Sequence, residues 1–321
     1  MIIQSSFKPH CCFKNRHLQT IWASLFRPYI KISDTQVKRV ELDDGDFIDL
    51  CIFNSAADST VLLLHGLEGS LNSHYIQGLV AQLVRQDYRV IVKHFRSCSG
   101  ENNRLLKSYH SGSSDDLEII IQFLQQQRLG VDFIVGFSLG GNVLLKWMGE
   151  LGEKARIKAA VAVSVPLLLE ECSNAINQGV SKIYQYYLLN SLKRKYLDKY
   201  NLHSHSLPLS VSEIKSIKSF WQFDQLLTAP VNHFESVDDY YQKSSSRQFL
   251  KKIRRPCLII HAKDDPFMNE KVIPRESELS SSITFELSEK GGHVGFIEGT
   301  WPWKAEYYLE RRIPEFLGNF R

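Results

Sequence analysis

A serine flanked by glycines is the residue of this 321-residue sequence whose surroundings most clearly suggest chemistry. Ser138 is the centre of GFSLG, residues 136–140, which matches the G-x-S-x-G pattern of a nucleophile elbow. In such a turn the serine backbone is strained, and side chains two residues away on either side would collide. The apolar run Val131–Val135 predicts a buried strand before the serine, and Leu139–Leu151 predicts a helix after it. This context favours a nucleophilic Ser138 over a glycine-rich turn with an inert serine.

A serine nucleophile needs a base, and the base needs an orienting carboxylate. In the chain order of hydrolases the acid and then the histidine follow the serine. His293 lies in the glycine-rich segment GGHVGF late in the chain, and we predict that it is the base. Asp265, in an acidic turn after the predicted strand Pro256–His261, is predicted to be the acid. The adjacent Asp264 is the alternative.

Two backbone amides are candidates for an oxyanion hole, which binds the negative oxygen of an acyl-transfer intermediate. The segment HGLEG, residues 65–69, follows the apolar strand Val61–Leu64. We predict that the amide of Leu67 in this segment and the amide of Leu139 after the serine form the hole. The alternative is an ordinary turn between a strand and a helix. His65 is expected to brace the loop and not to take part in catalysis.

Strand and helix patterns alternate around these residues, which is typical of a mostly parallel sheet covered by helices. The predicted strands are Val37–Leu42, Phe47–Phe53, Val61–Leu64, Arg89–Val92, Val131–Val135, Ile157–Val163, Pro256–His261 and Ile283–Leu287. The predicted core helices are Ser73–Arg85, Ser113–Gln127, Leu139–Leu151 and Trp303–Phe316. The alternation stops for about 85 residues between the predicted strands Ile157–Val163 and Pro256–His261. We therefore predict an α/β core of residues 36–165 and 252–321, an inserted helical cap of residues 166–251, and an N-terminal arm of residues 1–35 packed on the core.

Composition excludes several classes of protein. The net charge of +4, from 39 Lys and Arg against 35 Asp and Glu, is too small to predict nucleic-acid binding. The longest apolar stretch, between Lys158 and Glu170, is too short to span a bilayer. The six cysteines are scattered without a CxxC pair, and the sequence has no signal-peptide pattern. These features predict reduced thiols and a cytoplasmic location.

No metal or organic cofactor is predicted. His10, Cys11, Cys12 and His17 lie close together in the sequence, but their spacing fits no common zinc pattern. The proposed triad chemistry also requires only side chains and backbone amides.

Together the motifs resemble those of the α/β-hydrolase superfamily, and more narrowly its YheT-type esterases. The resemblance covers nearly the whole chain and is carried by the segments NRHLQTIW (15–22), HGLEGS (65–70), FRSCSGENNR (95–104), YHSG (109–112), GFSLGGN (136–142), DDPF (264–267) and GGHVGF (291–296). It implies an eight-stranded hydrolase sheet and a serine-dependent carboxylic-ester hydrolase. Ser138 would be the nucleophile, Asp265 the acid and His293 the base. One departure is Ser97, at a position where the family usually has glycine.

The sequence therefore predicts a serine esterase that forms an acyl-enzyme intermediate with a small-molecule or lipid-like ester. A thioesterase, a lipase or an acyltransferase would use the same nucleophile, and a non-catalytic binding protein on the same fold is a further alternative. The sequence leaves the oligomeric state open.

The predicted cap contains two features with more than one interpretation. The basic segment Lys182–Tyr200 could make weak peripheral contact with anionic lipid, and a solvated cap helix is the alternative. Several aromatic residues could line an acyl pocket or pack between the cap and the sheet: Tyr184, Tyr186, Tyr187, Phe220, Trp221 and Phe223.

Overall fold

The structure is a computed structural model that describes residues 1–33, 35–203, 209–299 and 304–321, without the side chains of residues 201–203. Nine of its strands form one sheet. Numbered along the chain they are β1 (Ile2–Gln4), β2 (Gln36–Glu41), β3 (Phe47–Phe53), β4 (Thr60–Leu64), β5 (Arg89–Lys93), β6 (Phe133–Phe137), β7 (Ala159–Val163), β8 (Cys257–Ala262) and β9 (Ile283–Ser288). Their order across the sheet is β1-β9-β8-β7-β6-β4-β5-β3-β2. The β2–β3 and β3–β5 pairs are antiparallel, and the other neighbouring pairs are parallel.

The central strands are apolar along their whole length because helices cover both faces of the sheet. In β4, Leu62 and Leu64 pack on one face, whereas Val61 and Leu63 pack on the other. Each of these side chains is fully buried and contributes about 1.5–3 kcal/mol relative to an exposed position. The ladder pairs Leu64 with Gly136, so β4 and β6 end side by side. The loops that follow these two strands therefore meet at one edge of the sheet.

Eleven α-helices pack around the sheet or between its strands in the described ranges. They are α1 (Arg16–Phe26), α2 (His74–Arg85), α3 (Ser114–Gln126), α4 (Leu139–Leu151), α5 (Leu169–Ile176), α6 (Ser181–His203), α7 (Val211–Ser216), α8 (Phe220–Phe223), α9 (Ala229–Val231), α10 (Val237–Ser244) and α11 (Tyr308–Gly318). Helices α3 and α4 pack on one face of the sheet, and α2 and α11 pack on the other. None of the helices in these ranges combines the length and the apolar composition that crossing a bilayer requires.

The helices between β7 and β8, α5 to α10, are called the cap below. A π-helical turn, Asp224–Thr228, joins α8 to α9, and a 3₁₀ helix, Ser246–Lys252, leads back to the sheet. The cap has small apolar clusters of its own, one of which includes Leu189, Tyr196 and Phe223. The exact division of the chain at residues 35, 166 and 251 stays a prediction.

Two predicted features of the core were wrong. The sheet has nine strands and not eight, because residues 2–4 of the predicted arm pair in parallel with β9 at the sheet edge. A three-residue strand is too short to show a periodic pattern. The last helix begins at Tyr308, because Glu306 and Tyr307 form β11, which pairs with β10 (Ile297–Glu298). Trp303, the predicted start of that helix, lies outside the described residues.

Candidate active site

Ser138 occupies the sharp turn between β6 and α4. Its φ of 50° and ψ of −119° are rare for a residue with a side chain. A Cβ at Gly136 would lie 2.5 Å from the carbonyl oxygen of Gly140, and a Cβ at Gly140 would lie 2.5 Å from that of His65. Glycine at both positions therefore allows the backbone segments to approach closely. The prediction of a nucleophile turn at Ser138 depends on this collision of any side chain at positions 136 and 140.

The imidazole of His293 contacts both other predicted triad residues. Its Nε2 is 3.0 Å from Oγ of Ser138, and its Nδ1 is 2.8 Å from Oδ2 of Asp265. Asp265 is buried, whereas Ser138 and His293 are half-buried. An ionised carboxylate only accepts hydrogen bonds, so the contact with Asp265 indicates that Nδ1 of His293 carries the ring proton. Nε2 can then accept a hydrogen bond. The arrangement can therefore take the hydroxyl proton from Ser138.

The structure brings Asp265, and not Asp264, to the imidazole. The other carboxylate oxygen of Asp265, Oδ1, accepts a hydrogen bond from the N–H of Phe267 at 2.8 Å, which orients the carboxylate. Asp264 instead accepts a hydrogen bond from the N–H of Gly292 at 3.0 Å. Burial raises the pKa of Asp264 above its ordinary value. Asp264 thus contacts the backbone of the histidine loop and not the histidine ring.

Helix α1 holds the loop that carries His293. The N–H of His293 donates to Oγ1 of Thr20 at 3.0 Å. The side-chain amide of Gln19 donates to the carbonyl of Ile297 at 3.0 Å and accepts from the backbone N–H of Ile297 at 2.6 Å. A Cβ at Gly295 would collide with the carbonyl oxygen of Gln19. Gln19 and Thr20 belong to the predicted N-terminal arm, and the structure places them against the loop of the predicted base.

The loop after β4 carries Leu67, the second predicted oxyanion donor. A Cβ at Gly66 would lie 3.2 Å from Cβ of Ser138, so this loop touches the nucleophile turn. Among the described residues, neither the Leu67 nor the Leu139 amide donates a hydrogen bond. Buried His65 donates from Nδ1 to the carbonyl of Gly66 at 2.8 Å and accepts at Nε2 from the N–H of Phe95. Burial lowers the pKa of His65, which keeps the ring neutral in this bracing role.

A cavity of about 130 Å³ extends from Ser138 and His293 between the sheet and the cap. Its lining is largely apolar and includes Leu67, Leu139, Leu169, Ile176, Leu188, Leu192, Phe220, Phe223, Phe267 and Met268. Of the cap aromatics considered as pocket residues, Phe220 and Phe223 line the cavity. Tyr186, Tyr187 and Trp221 are exposed, and Tyr184 packs against Phe267.

One acidic side chain, Asp224, is part of this lining. It belongs to the π-helical turn of the cap, and Oδ2 accepts a hydrogen bond from the hydroxyl of Tyr241 at 2.9 Å. Within the described ranges no Lys or Arg forms an ion pair with it. Burial raises the pKa of Asp224 to about 6. Sequence reasoning missed this residue because a single Asp in a helical segment carries no signal.

A family model for the alpha/beta hydrolase fold matches residues 59–300. The chain belongs to the α/β-hydrolase family. It is 40% identical to an Escherichia coli (strain K12) protein named "Putative esterase YheT", over 98% of this chain and 94% of that protein. It is 29% identical to phospholipase ABHD3 of Bos taurus, over 96% of this chain and 80% of that protein.

The solved structure of the Pyrococcus furiosus esterase Pf2001 has the same fold, with a TM-score of 0.59. The two chains are 16% identical, and the match covers 91% of this chain and 96% of that one. The comparisons confirm the predicted α/β-hydrolase fold class and the resemblance to YheT-type proteins.

Two further residues lie in the loops after β4 and β5. Glu68, next to Leu67, forms an ion pair with Lys195 of α6 at 2.7 Å and accepts from the hydroxyl of Tyr109. No sequence pattern indicated this pair, because 127 residues separate its partners. Ser97 has a φ of 62°, in the region that favours glycine. Its hydroxyl accepts a hydrogen bond from the N–H of Asn103 at 3.0 Å, which supports the loop.

The N-terminal cysteines are the described residues that best resemble metal ligands. One donor atom from each of His10, Cys11 and Cys12 lies within 4.8 Å of the others. A structural zinc site ordinarily has four ligands. The fourth member of the sequence cluster, His17, forms a hydrogen bond with the hydroxyl of Tyr184 at 3.1 Å. None of these four residues is part of the described lining of the cavity at Ser138.

Proposed function

We propose that this protein cleaves carboxylic esters with Ser138 as nucleophile, His293 as general base and Asp265 as orienting acid. The observation that carries the proposal is the continuous set of contacts from Ser138 Oγ through both nitrogens of His293 to Asp265. The chain shares its enzyme class with its relatives: it is a carboxylic ester hydrolase. Membership of the family supports the class, and the side-chain contacts support the mechanism.

In the first half-reaction Oγ of Ser138 attacks the ester carbonyl carbon while Nε2 of His293 takes the hydroxyl proton. The carbonyl oxygen becomes negative and accepts hydrogen bonds from the amides of Leu67 and Leu139. Asp265 holds the imidazole in orientation and stabilises its positive charge. The leaving alcohol takes the proton from Nε2 as the carbon–oxygen bond of the ester breaks. Removing one oxyanion donor typically lowers kcat about 100- to 1000-fold.

In the second half-reaction water attacks the acyl group on Ser138. His293 again acts as base, and it returns the proton to Oγ when the acid product leaves. These steps use only side chains and backbone amides of the chain.

The lining of the cavity supports an ester with an apolar acyl or alkyl chain. Leu188, Leu192, Phe220 and Phe223 of the cap share the cavity with Ser138. Burial of each methylene of such a chain against these side chains contributes about 0.8 kcal/mol. The proposed substrate is therefore a small or lipid-like ester, and the cap is expected to set the preferred chain length.

The test is labelling of the full-length protein with a fluorophosphonate, together with hydrolysis of a short-chain ester. We expect the native protein to be labelled and active, and Ser138→Ala and His293→Ala to be neither. Ser111→Ala is the matched control, because Ser111 lines the same cavity but does not contact His293. Labelling that survives Ser138→Ala would refute the mechanism, as would a folded native protein that neither reacts nor hydrolyses.

A further inference from the structure

The cap helix α6 exposes apolar side chains on the side that faces away from the cavity. Leu188 and Leu192 line the cavity from one side of the helix. Ile183, Tyr186 and Tyr187 lie on another side, at spacings of three and four residues, and are 67%, 70% and 77% exposed. A cap helix that only covers a cavity in water would be expected to present polar residues on its outer side.

Helix α1 exposes a second set of apolar residues. Leu25 and Phe26 near its end are more than half exposed, and so is Tyr29, which follows it. Leu18, two turns before Leu25, is also exposed. The helix packs against the protein through the side where Gln19 and Ala23 are buried.

The two helices meet beside the proposed active site. His17 of α1 and Tyr184 of α6 are joined by a hydrogen bond of 3.1 Å, and their rings are stacked. The ring of Tyr184 also packs on Phe267, which in turn stacks on His293. We call the exposed residues of the two helices the apolar rim: Leu18, Leu25, Phe26, Tyr29, Ile183, Tyr186 and Tyr187.

Exposed cations lie on both segments that carry the apolar rim. Residues 1–33 contain five Lys and Arg and no Asp or Glu. Of these cations, Lys8, Lys14, Arg16 and Lys31 are exposed, as is Lys182 in the first turn of α6. Helix α6 contains five cations and one acid, Asp198. Lys195 pairs with Glu68 and Lys199 is buried, so the exposed cations of α6 are Lys182 and Arg194. An anionic surface would be attracted by this distribution.

The combination of side chains favours a lipid surface over a protein partner. Tyrosine has an apolar ring and a polar hydroxyl, which suits the boundary between acyl chains and head groups. Lysine is depleted in protein–protein interfaces but is common on the polar side of helices that lie on membranes. Large apolar patches on a monomer also mark interaction sites in general.

We propose that the apolar rim docks the protein on an anionic lipid surface, so that the cavity beside His293 receives its ester from that surface. Docking follows from the exposed side chains and charges alone. Only the delivery of substrate rests on the proposed ester hydrolysis.

The test is co-sedimentation of the full-length protein with phosphatidylcholine vesicles, prepared with and without phosphatidylglycerol. We expect binding to the anionic vesicles that weakens in high salt. The double variant Ile183→Glu with Tyr187→Glu, and separately Leu25→Glu, are expected to lower vesicle binding at least about tenfold. Val37→Glu is the matched control, because Val37 is equally exposed, at 69%, on the β2 edge of the sheet.

A second readout compares two substrates with the same variants. Hydrolysis of a water-soluble short-chain ester should stay within about twofold of the native rate, whereas hydrolysis of an ester carried in the vesicles should fall with binding. Unchanged vesicle binding by the double variant, or no binding by the native protein, would overturn the proposal. Dimers that the same substitutions abolish, without vesicle binding, would assign the rim to a second copy and also overturn it. Vesicle binding by a native protein that hydrolyses neither ester would refute the proposed function and leave docking intact.

Discussion

The ring of Phe267 stacks on the imidazole of His293, with the ring centroids 4.0 Å apart and the planes 7° from parallel. The N–H of Phe267 also donates to Oδ1 of Asp265. One residue thus orients the proposed acid through its backbone and confines the proposed base through its side chain. Because Asp265 and Phe267 belong to the same turn, the turn after β8 positions both the proposed acid and the proposed base.

Replacing this stacking residue should impair catalysis more than folding. Phe267→Ala removes the ring that packs on the imidazole and leaves only hydrogen bonds to orient it, so we expect kcat to fall about tenfold, since small misplacements of a catalytic group cost up to about 100-fold. Phe267→Tyr retains the stack and should remain within about threefold of native. Steady-state kinetics with a short-chain ester, and thermal unfolding of each variant, check this. A native kcat in Phe267→Ala would show that the stack does not constrain the base.

The two adjacent acids should differ sharply in their effects. Asp265→Asn replaces the acceptor at Nδ1 of His293 with a group that does not favour the required tautomer, and kcat should fall about 10³- to 10⁴-fold. Asp264→Asn retains an oxygen that can accept from the N–H of Gly292, so its kcat should change less than about fivefold. The two kcat values and fluorophosphonate labelling rates measure the difference. The reverse order of effects would assign the acid to Asp264.

Removal of the hydroxyl that holds the histidine loop should slow the reaction. Thr20→Val leaves the N–H of His293 without its acceptor, which costs about 1–3 kcal/mol of unfolding free energy if no water replaces it. The loop should also become less ordered, and we expect kcat to fall about tenfold with little change in KM. Thr20→Ser restores an acceptor and should recover most of the rate. If valine and serine variants have equal kcat, the hydrogen bond does not position the base.

Asp224 should make stability depend on pH. Its pKa is about 6 in the folded protein against an ordinary 3.8, so the folded state binds the proton more tightly than the unfolded state. The free energy of unfolding should therefore fall as the pH rises from about 4 to about 6, by a total of roughly 3 kcal/mol from this group. Above about pH 6 the group is ionised in both states, and its contribution should be constant.

The measurement is chemical denaturation of the native protein and of Asp224→Asn at about pH 4 and about pH 7. The asparagine variant lacks the titrating group, so its stability relative to the native protein should rise with pH. Asp238→Asn, an exposed acid on α10, is the control and should show no such trend. A difference between native and Asp224→Asn that is the same at both pH values would contradict the prediction.

Local sequence patterns predicted the elements that carry the site. The turn at Ser138 could be read from GFSLG because the requirement for Gly136 and Gly140 arises from backbone contacts within a few residues. The buried strands could be read from continuous apolar runs, since a strand covered on both faces excludes polar side chains. Chain order then singled out His293 among eleven histidines. These inferences use sterics and burial that act over short stretches of chain.

The features that the sequence left open depend on residues far apart in the chain. The sequence could not distinguish Asp264 from Asp265, because neighbouring side chains in a turn point to different sides. Only the packing of the loop determines which of the two carboxylates faces His293. The contact of Thr20 with His293 spans 273 residues. Residues 2–4 likewise form the edge strand β1 only because they pair with β9.

Sequence alone therefore determined the class of fold and indicated the proposed nucleophile and base, because the turn geometry and the burial of strands leave a local pattern. The tertiary structure decided which acid meets the base, how α1 holds the histidine loop, and which side of α6 is exposed. Hydrogen bonds and packing across distant segments impose almost no constraint on the neighbouring sequence. They become visible only when the chain has folded and the segments meet.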